Sequence, residues 1–219
     1  GVRSNSGSAT INNCKIYDNH SSGRGGGLSA GNATSILTVT NSEIYENSAV
    51  TDGGAVNLNA GFGHSFTNTI IRDNTAGASG GAVFTQNGDV IFTDVTIKDN
   101  IAATGGGAVA SNGSDVNFIR CTITGNTATT GSGGVIKLGN SSSHTSFENC
   151  IVANNQAESG GVSYVNGGNF TAINSTFAYT QATAGNGGVI LDHSGTFEIR
   201  SSTLWGNNAT GPGHDAYFQ

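Results

Sequence analysis

Methionine is absent, proline occurs once, cysteine three times, and charged residues make up only 10% of the 219-residue chain. A sequence so poor in Met, Lys and Glu lacks the usual helix formers, and its Ala residues do not recur at helical spacing, which excludes an all-α fold. One Pro excludes a collagen, whose Gly at every third position needs abundant imino acid. Three Cys cannot all pair internally, and so few over this length make no disulfide scaffold. Eight scattered Lys and Arg against 14 Asp and Glu leave a formal charge of -6 and no basic footprint for nucleic acid or an anionic membrane. No run approaches the ~18 apolar residues of a membrane-spanning helix, so no membrane insertion by this segment is expected. A charged-then-apolar leader is also lacking, so the chain reads as a mature product or an excised piece. What is present is 35 Gly, 26 Asn and 49 Ser plus Thr, about half of the sequence, with 35% apolar residues placed at intervals too regular for a disordered linker.

Those intervals are a repeat. Gly-Gly pairs begin at Gly26, Gly53, Gly80, Gly106, Gly133, Gly160 and Gly187, spaced by 26 or 27 residues. In step with them run IYDN, IYEN, IRDN, IKDN, ITGN, VANN, FAYT and LWGN, led by Ile16, Ile44, Ile71, Ile97, Ile123, Val152, Phe177 and Leu204. With these leading residues as zero, the residues five and seven positions earlier are mostly apolar, such as Phe92 and Val90, the alternation of a half-buried strand. Three positions before zero stand Asn13, Asn41, Asn68, Asp94, Arg120, Asn149, Asn174 and Ser201, a column rich in the residue that tolerates a left-handed bend, so the chain turns a corner there. A second short strand holds the zero position and ends at Asn19, Asn47, Asn74, Asn100, Asn126, Asn155 and Asn207. A Gly-rich loop then leads to a third strand at AVNL, AVFT, AVAS and their equivalents, and small Ala residues such as Ala49, Ala76 and Ala102 mark where a loop turns inward. No unit of this size buries its apolar face alone, whereas units stacked at ~4.8 Å per step share one core. The expected fold is all-β: one domain over residues 1–219, a right-handed parallel β-helix of about eight coils of 26–27 residues with three short strands per coil.

The tandem apolar-x-x-Asn and Gly-Gly-Ala-apolar motifs, as in IYENSAVTDGGAV, IRDNTAGASGGAV and IKDNIAATGGGAV, resemble the polymorphic outer-membrane protein repeats of chlamydial autotransporter adhesins over nearly the whole chain. Two features depart from that pattern: the first motif position is mostly Ile rather than Phe, and there is no translocator barrel. The resemblance implies a repeat architecture and an extracellular, cell-surface setting.

Parallel β-helices also carry pectate-lyase-like chemistry, which needs paired or Ca²⁺-binding carboxylates with basic partners. The acids here form one ladder, Asp18, Glu46, Asp73 and Asp99, two residues after zero on successive coils. They read either as solvated residues flanking the second corner or as ligands of a Ca²⁺ ion, the only cofactor these residues suggest. No His or Lys shares their column as an acid partner, so no catalytic residue is assigned. One position after zero, Tyr17 and Tyr45 stand on neighbouring coils of an outer face, as surface filling or as a platform for a sugar ring or a partner side chain. Cys14, Cys121 and Cys150 share the column two before zero, and adjacent Cys121 and Cys150 are either small buried thiols or a disulfide across two coils. Seven sequons are close to the about six that chance predicts, and the five His, including His64 and His214, form no triad.

The expected function is a non-catalytic, structural or adhesive module of a cell-surface protein. Its expected partners are a host or neighbouring-cell surface protein or glycan, or copies of itself end to end. The alternative is a β-helix that binds or degrades polysaccharide. The first residues open in mid-unit, so the chain is expected to be a segment of a longer solenoid or to stack with itself.

Overall fold

In a computed structural model the chain is a parallel β-solenoid. The structure describes residues 1–213 and 215–218, the last three as backbone only; His214 and Gln219 lie outside the described residues. Strands of successive coils stack into four parallel sheets of nine, eight, eight and eight strands. Sheet A runs from Val2–Ser4 through Leu28–Ala30, Val56–Asn59 and Val83–Gln86 to Ala216–Phe218. Sheet B runs from Gly7–Asn12 to Thr196–Arg200, and sheet C, which carries the zero column, from Lys15–Tyr17 to Thr203–Trp205. Sheet D stacks two-residue strands from His20–Ser21 to Asn208–Ala209. The three expected strands per coil are therefore joined by a fourth, where the sequence pattern indicated only an inward-turning loop. Its second residue is the small Ala of that loop, buried in all seven coils from Ala49 to Ala209. There is no helix among the described residues, hence none long and apolar enough to cross a membrane.

Both corners follow from backbone chemistry. Every residue of the Asn-rich column between sheets B and C, from Asn13 to Ser201, has φ between 47 and 56°, the left-handed region that Asn and Asp enter at low cost. Between sheets C and D a second such corner falls at Asp18, Glu46, Asp73, Asp99, Gly125, Asn154, Tyr179 and Gly206, with φ of 54–68°. Glycine pairs make the return to sheet A. Gly80 has φ 70°, while a Cβ on Gly81 would collide with the carbonyl oxygen of Gly107 on the next coil, so the pair answers two different demands. In the first full coil Leu28 pairs with Val56, which makes Gly25 (φ 68°), not Gly26, the partner of Gly53. The 28 residues from Ile16 to Ile44 carry the same extra residue.

Side chains repeat in register inside the solenoid. Ile44, Ile71, Ile97 and Ile123 are fully buried in the zero column. Phe66, Phe92, Phe118 and Phe147 form a stack with centroids 5.1, 5.2 and 4.8 Å apart. The Asn column after the second corner is also interior. Asn47, Asn74, Asn100, Asn126 and Asn155 are at most 1% exposed, and each Nδ2 from Asn19 to Asn126 donates to the Oδ1 of the next at 2.9–3.0 Å. Amide groups that carry both donors and an acceptor can propagate such a ladder without leaving a buried group unpaired. It stops at Thr180, whose hydroxyl donates to Asn207 Oδ1 at 2.8 Å.

One interior position is titratable. His64 is fully buried, its Nδ1 accepting from the Leu37 amide at 3.1 Å while Nε2 lies 3.2 Å from the Ala60 carbonyl, which assigns the neutral tautomer protonated at Nε2. Burial pushes its pKa below 6.5, against smaller opposing effects of the Ala60 carbonyl and Asp89. The unfolded chain thus binds a proton that the folded chain refuses. The contribution is complete above pH ~6.5 and falls as the pH drops below that value toward the lowered folded one. Melting temperatures measured from pH 7.5 to 5.5 are expected to decline for the native chain and to decline less for His64→Val.

Candidate functional site

Because the core columns repeat, chemistry on this scaffold has to come from the outward columns, and sheet C carries the richest pair. One position after zero stand Tyr17, Tyr45, Arg72 and Lys98, paired in register across four coils. The Tyr17 and Tyr45 rings are 4.9 Å apart and 6° from parallel, with Tyr17 53% exposed. Arg72 extends the stack, its Cζ 4.2 Å from the Tyr45 centroid. The guanidinium is clamped in that pose by Asp73 Oδ2 at 2.6 Å and Glu43 Oε1 at 2.7 Å, and these bonds raise its pKa further. The result is a layered platform on sheet C, two stacked rings and a cation in sequence along the coils.

Beside it, one position before zero, Lys15, Glu43, Ile70 and Thr96 form one wall of an open groove of about 460 Å³ that runs along four coils. The opposite wall is the first corner, Asn13, Asn41, Asn68 and Asp94, where Asn68 Nδ2 donates to Asn41 Oδ1 at 2.8 Å. Both groove carboxylates are already engaged. Glu43 holds Arg72, and Asp94 holds Arg120 in a two-pronged pair of 2.7 and 2.8 Å that keeps its carboxyl below the usual range.

The acid ladder Asp18, Glu46, Asp73 and Asp99 occupies the second corner, where left-handed backbone favours Asp over most residues. Asp73 is bound to Arg72, and Lys98 Nζ lies 3.9 Å from Asp99. Among the described residues no three of His, Cys, Asp and Glu come together as a set able to hold a metal ion. Cys121 and Cys150 are neighbours in one interior column, 1 and 2% exposed, and are free thiols in this structure, the Cys150 sulfur 3.4 Å from the Cys121 amide nitrogen. Hydrogen bonding to Cys150, then burial, pushes the Cys121 thiol up, away from the reactive thiolate. Small polar side chains in this column satisfy backbone at the corner, since the Ser42 and Ser175 hydroxyls accept from the amides of Cys14 and Cys150 at 3.0 Å. Cys14 is exposed at the groove.

The Tyr column in the sequence placed Tyr17 and Tyr45 together, but it missed Arg72 as the third layer, although the register already set it beside Tyr45. A second aromatic pair, Tyr179 and Trp205, was also missed; its signal was a lone aromatic in a corner column of Asp, Glu, Asn and Gly.

A family model described as Right handed beta helix region matches residues 1–177. No curated protein and no solved structure matches the chain.

Proposed function

Since the chain belongs to the right-handed β-helix family, which holds enzymes as well as binding and structural proteins, we propose that it is a non-catalytic adhesive module that presents sheet C to a surface protein or glycan. The observation that carries this reading is the parallel Tyr17–Tyr45 stack capped by Arg72, with Tyr17 left more than half exposed beside an open groove. With Tyr45 held between Tyr17 and Arg72, the exposed Tyr17 ring at the end of this platform suits the apolar face of a sugar ring or a partner side chain. Against turnover, the groove carboxylates are spent on arginines, whereas general acid-base chemistry needs a carboxyl free to exchange its proton near the working pH. The likeness of the repeats to chlamydial-type outer-membrane adhesins supports an extracellular, cell-surface setting. The pectate-lyase-like alternative has the fold in its favour but no free carboxylate pair in this groove.

Binding of the chain to a glycan array and to a panel of neutral and uronic-acid polymers tests the reading. The double change Tyr17→Ser and Tyr45→Ser is expected to weaken retention at least tenfold, equivalent to ~1.4 kcal/mol. Being on the surface, it is expected to alter stability by little more than ~0.5 kcal/mol per site. Unchanged retention by a folded double variant would remove the platform from the account.

A further inference from the structure

A repeat supplies its own standard of comparison, and coils seven and eight depart from it in three adjacent columns. At the second corner, Tyr179 is the one aromatic among Asp, Glu, Asn and Gly, held at φ 55° in a backbone region that bulky side chains avoid. Burial does not repay that cost, since Tyr179 remains 48% exposed. At the next position Thr180 breaks the Asn ladder, and on the following coil Trp205 is 62% exposed. Strain kept in an exposed side chain points to use.

The surroundings keep the ring in place. A Cβ on Gly206 would come within 2.9 Å of the Tyr179 ring, so glycine there lets the ring lie over the chain. Trp205 meets it edge to face, centroids 4.9 Å apart and planes at 63°. Next to Tyr179 is a small pocket of about 170 Å³ lined by Asn154, Asn155, Gln156 and Gln181, with no charged side chain in its lining. Gln156 and Gln181 stand in register on adjacent strands of sheet D. Carboxamides both donate and accept, which matches hydroxyls that do the same, whereas an anionic or cationic ligand would call for a counter-charge. The volume is below the ~300 Å³ at which pockets for drug-sized molecules begin, and an open aromatic wall suits one ring of a longer chain.

We propose that Tyr179, Trp205 and the amides of Asn154, Gln156 and Gln181 form a second binding site, specific for a ring of an uncharged sugar. It lies about five coils, or ~24 Å, along the solenoid from Tyr45. The site does not depend on the platform at Tyr17 and Tyr45.

Trp205 is the only Trp in the chain, so its emission reports on this site alone. The native chain is titrated with maltotriose, cellotriose, mannotriose and chitotriose, and with trigalacturonate as the charged control. A saturable change in emission with at least one neutral trisaccharide is expected, weakened at least tenfold by Tyr179→Asn, which installs the residue that Asn154 supplies at the same corner. That variant is expected to melt no lower than the native chain, because Asn accepts the left-handed backbone better than Tyr. The double change Tyr17→Ser and Tyr45→Ser is expected to leave the titration unaltered. No saturable change at millimolar concentrations of any neutral sugar, or a change that survives in folded Tyr179→Asn, overturns the site. Tighter binding of trigalacturonate than of every neutral sugar overturns the assignment to uncharged ligands.

Discussion

Asn100→Ala is expected to destabilise the solenoid by about 3–5 kcal/mol, as much as an emptied core position. The Asn100 Oδ1 accepts from both the backbone amide and the Nδ2 of Asn74, at 3.0 and 2.9 Å. Its Nδ2 reaches the carbonyls of Ile71 and Lys98 and the Oδ1 of Asn126 at 2.9–3.1 Å. No water replaces these partners cheaply, because Asn74, Asn100 and Asn126 are all fully buried, and each stranded buried group costs ~1–3 kcal/mol. The isosteric Asn100→Asp separates hydrogen bonding from volume. Its carboxyl keeps the acceptor facing Asn74 but sets a negative charge against three acceptor oxygens, so its folded pKa rises above the unfolded ~3.9. Folding is then least disturbed below that pH and is lost as the pH rises through it. Urea midpoints at pH 4 and pH 7 check this: a larger deficit at pH 4 would contradict the ladder.

Ile97→Ala is expected to cost about 2–5 kcal/mol, and its outward neighbour Thr96→Ala no more than about 0.5 kcal/mol. Ile97 is fully buried between Ile71 and Ile123 in the zero column, while Thr96 faces the groove. Neighbouring coils are held in place by their own backbone ladders and cannot collapse into the void, which places the loss toward the upper part of that range. Thermal or urea unfolding of the two variants makes the comparison, and equal losses would contradict the register that alternates residues in and out of sheet C.

The parts of the fold that recur as side-chain identities were legible in the sequence. Asn41 and Asn68 announce a corner because few residues tolerate the bend, and that column assigned the corner even where Arg120 and Ser201 occupy it. The fourth sheet was hidden because strands such as Ser48–Ala49 are two residues long and cannot display an alternation. The shift from Gly26 to Gly25 was hidden by a run of three glycines, in which only the neighbouring columns fix the register. At the candidate site the columns placed Tyr17 beside Tyr45. That Arg72 folds back over Tyr45, while its guanidinium is held by Asp73 and Glu43, depends on side-chain torsions that spacing does not encode. Tyr179 was hidden for the opposite reason: a column is defined by what repeats in it, and the informative residue there is the one that does not.

The central claim, a β-helix that binds without turning over its ligand, is tested most directly by incubating the folded chain with neutral and uronic-acid polymers, with and without Ca²⁺, and following retention and the release of new chain ends together. Retention on one or more polymers with no new ends is the result expected. Release of chain ends that Asp73→Ala abolishes would contradict the claim and make the acid ladder catalytic.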